Sequence, residues 1–239
     1  MIPTINQTGI CIFAVLLLVA AGPTADAQTA PTADQQGQAT TCAAVTKPID
    51  INIKNPRGRV VYDRGVSGND LVRIQKSRSR GVQNSNLKPL GLTLSDFTFK
   101  IGTSVRLLPI ADNKFCAYPS SFDILIGYSG FKVYIDRRYG RGSCEYRAIL
   151  EHENTHVSLY RSNMARTLPD LQRAVYSAAR RITPLIVDSP AQGARYVQKR
   201  MEKSLNPMVA RLSRGADIAN ARIDTPVSYK QVQSRCRNW

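Results

Sequence analysis

The chain has 239 residues, with 33 Lys plus Arg against 17 Asp plus Glu, five Cys and only two His. A hydrophobic fraction of 43% and a charged fraction of 21% suit a soluble globular protein and exclude wholesale disorder, collagen-like repeats and a polytopic membrane protein. A formal charge of +16 favours an anionic partner, and the compartment decides which one.

The first element is the apolar run Ile10–Ala21, too short to span a bilayer comfortably and followed by Ala25-Asp26-Ala27. This reads as a secretory signal peptide over residues 1–27, cleaved after Ala27, although residues 2–9 carry no Lys or Arg. Secretion or export to a periplasm follows. Cys11 leaves with the signal, and Cys42, Cys116, Cys144 and Cys236 remain as an even set for an oxidising compartment. Three pairings are possible. The expected one is Cys116–Cys144, bracketing a hairpin, with Cys42–Cys236 tying both ends of the folded region.

Residues 28–41 are small, polar and aperiodic, a disordered leader before a single domain over 42–239. From Ile49 to Asp136 short β-rich runs (IDINI, RVVYD, LTLSDFTFKIG, SVRLLPI, FDILIGY, FKVYID) alternate with turn signals such as DNK and SG. In the last run Phe131, Val133 and Ile135 alternate with Lys132, Tyr134 and Asp136, the pattern of a strand with one buried face. Glu145–Arg166 lacks Gly and Pro and repeats apolar residues at three and four, which predicts a long helix. A second helix is expected over 169–186 and a third over 192–221, kinked or broken at Pro207, before an irregular tail over 222–239. Strands followed by helices imply an α+β fold, with a mostly antiparallel sheet over 49–136 packed on helices over 145–221.

The first long helix contains His152-Glu153-Asn154-Thr155-His156, an HExxH sequence. Residues four apart share a helical face, so two imidazoles can reach one ion. Zinc takes neutral imidazole nitrogen and lowers the pKa of bound water to about 7; Glu153 stands where a general base is needed. The chain's only two His fall at this spacing, with the Glu in place. Tyr146, Ile149, His152, His156 and Tyr160 share one face, which turns the His pair inward, where it needs partners.

This segment resembles the zincin metallopeptidases, with Ile149, Asn154, Thr155 and Val157 fitting their extended pattern and Ser158 standing where an apolar residue is usual. The resemblance implies zinc-dependent hydrolysis of peptide bonds, with His152 and His156 as ligands and Glu153 activating water. It also makes FKVYID the edge strand on which an extended peptide pairs. The layout is further similar to a family of predicted secreted bacterial zinc-dependent proteases. Those return an Asp-x-x-Thr-x-His-Gly segment near the C-terminus; here Asp224 and Thr225 lead to Tyr229 where that family has His.

With no third His, the third ligand must be a carboxylate or a less common donor. Asp224 leads through the second resemblance, Glu202 follows as the helix carboxylate of the Glu-type zincins, and Asp170 is a helix-start acid. Tyr229 is a further candidate, as ligand or as donor to a developing oxyanion. Cations gather at Arg73, Lys76, Arg78 and Arg80 and at Arg137, Arg138 and Arg141, a solvated face or a contact to an anionic cell-envelope surface. Nucleic acid is disfavoured, because no stacking motif or finger spacing is present. The leading expectation is thus a zinc peptidase acting on protein or on cell-wall peptide. The alternative is a non-catalytic, cationic envelope-binding protein with an inert or structural metal site; oligomeric state is left open.

Overall fold

In a computed structural model, residues 41–43, 47–78 and 88–239 are described and belong to one compact unit. The expected signal peptide, all but the last residue of the leader, and Arg80 lie outside the described residues. The fold is α+β, in the order β1 (Asp50–Lys54), β2 (Arg57–Asp63), α1 (Gly68–Arg78), β3 (Gly91–Ala111), β4 (Lys114–Ile135), α2 (Cys144–Arg180), β5 (Leu185–Val187), α3 (Pro190–Ala221) and α4 (Pro226–Gln233).

The sheet is built around β4. Antiparallel β3 pairs with it from Gly91↔Ile135 to Ala111↔Lys114. A strand has only two hydrogen-bonding edges, so the remaining partners share the other edge: β5 at Phe115–Ala117, β1 at Ser121–Leu125 and β2 at Tyr128–Tyr134. The β1 and β2 pairings are parallel, so the sheet is mixed rather than mostly antiparallel. Six expected runs become four strands plus β5, because two presumed breaks are not turns. Ser129 of the SG pair is the extra residue of a β-bulge between Asp96↔Gly130 and Phe97↔Tyr128, and β4 runs straight through. The DNK signal is a true hairpin, with Asn113 at φ 56° in the left-handed region.

FKVYID is not an edge strand, since β3 and β2 occupy both of its edges. Phe131, Val133 and Ile135 are buried at 2%, 0% and 1% exposure as expected, but Tyr134 at 9% and Asp136 at 3% are buried too, so the strand lacks the expected solvent face. Among the described residues the outer edge of β3 has no strand partner.

Ser143 caps α2, accepting from the Tyr146 N–H, and Glu145 complements the helix dipole. The helix then continues to Arg180, through Pro169, so the two expected helices are one. An interior proline costs about 3 kcal/mol. Burial of Met164, Leu171 and Val175 around it offsets that cost, at about 1.5–3 kcal/mol per side chain. Pro184 does end helical structure, and the residues expected to finish the helix instead form β5. Helix α3 likewise continues through Pro207 without a break, held by the buried row Val197, Met201, Leu205 and Val209.

The disulfides are Cys42–Cys116, with Cα atoms 5.6 Å apart, and Cys144–Cys236, at 5.8 Å. The expected pairing is therefore wrong. Cys116 lies near the start of β4 and Cys144 opens α2 beyond its far end, and the strand between Cys116 and Ile135 spans roughly 60 Å at about 3.3 Å per residue. A bridge needs Cα atoms within about 7 Å. Two disulfides suit an oxidising, extracellular-type environment, and no helix among the described residues is long and apolar enough to cross a membrane.

Candidate metal centre

The HExxH residues occupy the third and fourth turns of α2, where the helix lies against β3 and against the end of α3. His156 is buried at 6% exposure, and the His152 side chain is 12% exposed. Both rings face inward, as the pattern of Ile149 and Tyr160 implies. Ser158, the departure from the zincin pattern, is exposed and returns its hydroxyl to the Asn154 carbonyl, so no apolar contact is missing there.

Asp224 reaches this pair from the turn between α3 and α4. The Ile223 and Asp224 N–H groups donate to the Asn220 and Ala221 carbonyls, closing α3. Thr225 and Ser228 then form a reciprocal capping box, with Pro226 at the first turn of α4. Between two helix ends fixed in this way, Oδ1 of Asp224 lies 3.3 Å from Nε2 of His152 and 3.1 Å from Nε2 of His156. One donor atom from each residue falls within 4.8 Å of the others.

The other expected carboxylates are elsewhere. Glu202 accepts from Gln198 eighteen residues before Asn220 on α3, roughly 27 Å away along the axis. Asp170 is paired with Arg173, roughly 21 Å along α2 from His156. Tyr229 is near: its ring packs edge-on to His152 at 5.7 Å, and burial, then Asp224 and Glu153, push its hydroxyl well above the usual range. It stays a neutral O–H donor.

Asn220 decides the protonation pattern. Its Nδ2 donates to the Ala216 carbonyl at 2.8 Å, which turns Oδ1 toward Nδ1 of His156, also at 2.8 Å. Nδ1 must then carry the proton, and Nε2 of the neutral ring presents a lone pair to the Asp224 carboxylate. A neutral His156 ring thus turns an acceptor toward an acceptor, a contact that either a second ring proton or a bound cation would satisfy. Burial opposes charge on His156, yet Asp224 and Glu153 outweigh it and raise its pKa, while the two imidazoles hold Asp224 down at about 2 despite burial. Protons on both rings would set two imidazolium ions with centroids 4.9 Å apart. A single divalent cation satisfies all three donors without that repulsion.

The separations fit such an ion. Zinc at about 2.0–2.1 Å from each donor in a tetrahedral site places donors roughly 3.3 Å apart. The two His–Asp distances are 3.3 and 3.1 Å.

Glu153 stands behind this group at 3% exposure. Its Oε2 accepts from the Thr93 hydroxyl at 2.7 Å, and burial raises its pKa against the opposing pull of His156 and Thr93. Gly91, two residues earlier on β3, leaves room for it: a Cβ there would lie 2.7 Å from Oε1 of Glu153. Leu90, Gly91, Ile149, His152, Tyr229 and Val232 line a cleft that opens beside Glu153. Gly91, Thr93 and Asn220 carry no local sequence signal for these roles; only the i, i+4 step from Asn220 to Asp224 hints at a shared helix end. Comparison with family models, with curated proteins and with solved structures yields no match to this chain.

Proposed function

We propose that this protein is a zinc-dependent hydrolase of peptide bonds, exported to an oxidising compartment by a cleaved N-terminal signal peptide. The observation that carries the reading is the convergence of two imidazole nitrogens and one carboxylate oxygen within 4.8 Å of one another, with a buried glutamate beside them. His152, His156 and Asp224 would hold the ion. Bound there, zinc supplies a Lewis acid that polarises a carbonyl and makes water a nucleophile near neutral pH.

The chain's own residues supply the rest. Glu153, with its basicity raised by burial, takes the proton from the attacking water and passes it to the leaving amine. Thr93 holds one carboxylate oxygen, leaving the other free for that transfer. Asn220 fixes the His156 tautomer. Tyr229, kept protonated, donates to the oxyanion as the carbonyl carbon becomes tetrahedral. The outer edge of β3, without a strand partner among the described residues, begins at Gly91 beside the cleft, which favours an extended peptide as substrate.

A structural metal clip is the weaker reading. Structural zinc sites are closed by four protein ligands, whereas here the group has three candidate ligands, one of which, His152, lines a small cleft together with Glu153. The test pairs metal analysis with turnover of unfolded protein and of cell-wall peptide. Glu153→Gln should keep stoichiometric zinc and lose hydrolysis of either substrate. Retained hydrolysis in that variant, or wild-type zinc content after both His are changed to Ala, would sink the reading.

A further inference from the structure

We propose that the solvent face of α3 docks the protein on anionic lipid headgroups. The buried spine of α3 runs Gly193, Val197, Met201, Leu205, Val209, one residue every four. Two residues on, about 200° around the helix, stand Arg195, Lys199, Lys203, Pro207 and Arg211, all exposed. Each step of four also turns about 40°, so the row winds around the helix, and Lys199, Arg200, Lys203, Arg211 and Arg214 share a sector of about 120° opposite the buried Met201, Leu205, Leu212 and Ala216. Arg195, Lys199 and Lys203 are spaced roughly 6 Å along the axis, Lys203 and Arg211 roughly 12 Å, and the row is roughly 24 Å long. Arg200 and Arg214 flank it, so α3 holds six cations against two carboxylates, Glu202 and Asp217.

Two cations of the segments singled out by local charge density are neutralised locally. Arg73 is paired with Asp70, and Arg138 with the buried Asp136. None of the six α3 cations is in an ion pair among the described residues, although Arg200 lies over the Tyr196 ring. Like charges at i, i+4 destabilise a helix. An anionic surface relieves that repulsion across the shared sector at once.

Two observations favour lipid over nucleic acid. No aromatic side chain interleaves the row to stack bases, since Tyr196 is half-buried beneath Arg200. One turn beyond Arg214, Ile218 is 56% exposed, an apolar side chain placed to enter the headgroup layer. The row ends near the metal-binding residues, with Arg214 six residues before Asn220, roughly 9 Å along the axis. The surface does not depend on the hydrolase reading, and its test reads binding alone.

Co-sedimentation of the full chain with phosphatidylcholine vesicles, with and without phosphatidylglycerol, tests this. Each cation near an anionic surface contributes about fivefold to partitioning. The variant Lys199→Glu/Lys203→Glu/Arg211→Glu should lose binding to the anionic vesicles by about a hundredfold or more. Lys47→Glu/Lys54→Glu/Lys100→Glu, with the same change in net charge on exposed sites away from α3, should stay within about fivefold of the wild type. The Gln versions of the α3 set serve if the Glu set fails to fold by circular dichroism. Equal losses in both sets, binding indifferent to phosphatidylglycerol, or tighter salt-sensitive binding to a single-stranded oligonucleotide than to vesicles would each overturn the proposal.

Discussion

Nδ1 of His156 on α2 lies 2.8 Å from Oδ1 of Asn220, the penultimate residue of α3, and this contact fixes which ring nitrogen faces Asp224. Replacing Asn220 by Ala leaves the ring free to change tautomer. Zinc affinity should fall by about 10–100-fold, the range for groups that orient a metal ligand, with little change in helix content. Competition against a chromophoric chelator measures it, and an unchanged affinity would refute the orienting role.

Asp224 should behave differently from every other carboxylate. Asp224→Ala removes one of three donors, so affinity should fall roughly 100-fold or more. Glu202→Gln and Asp170→Asn should leave metal binding as it was, since both lie roughly 20 Å or more along their helices from the site. Loss of zinc from the Glu202 variant would reverse this assignment.

Gly91→Ala tests the fit of β3 against the catalytic side of α2. The added methyl would meet Oε1 and Cγ of Glu153 at 2.7 and 2.8 Å and Cγ2 of Ile149 at 2.8 Å. Glu153 must shift, so turnover should fall steeply while the three ligands keep their metal. Stability should drop by about 1–3 kcal/mol, as for other overpacked sites. Wild-type turnover would mean that the position of Glu153 is not critical.

The bridge between Cys144 and Cys236 joins the start of α2 to the tail beyond α4. Helix α4 has no buried residue of its own and is otherwise tied down by the Arg235–Glu151 ion pair and by Trp239 against Tyr139. Cys236→Ser should therefore weaken zinc binding, by freeing the tail that follows Asp224 and Tyr229. It should also destabilise the fold by up to roughly 4–5 kcal/mol, given a sequence separation of 92. Cys42→Ser, which opens the bridge near the start of β4, should lower the melting temperature with little effect on zinc. Equal effects of the two variants on metal affinity would count against the tether.

The primary structure determined the HExxH spacing and several of the local elements. HExxH on a Gly- and Pro-free stretch of helix is a matter of spacing, and alternation in FKVYID marked Phe131, Val133 and Ile135 as buried, because both depend on residues close to one another in the chain. Asp224 as the leading partner came from a resemblance, and Asp, Glu and Tyr candidates could not be ranked by spacing alone. Only the tertiary structure decided between them, since the turn joining α3 to α4 must close against α2 before a carboxylate 68 residues beyond His156 can meet it. Helix continuity through Pro169 and Pro207 was likewise decided by burial, which outweighs a local proline penalty. Ser129-Gly130 became a bulge rather than a turn because β3 pairs across it. The disulfide pairing followed the length of β4, a distance that cysteine spacing does not encode. Thr93, Gly91 and Asn220 serve the site through contacts between separate elements, and no window of sequence contains such contacts.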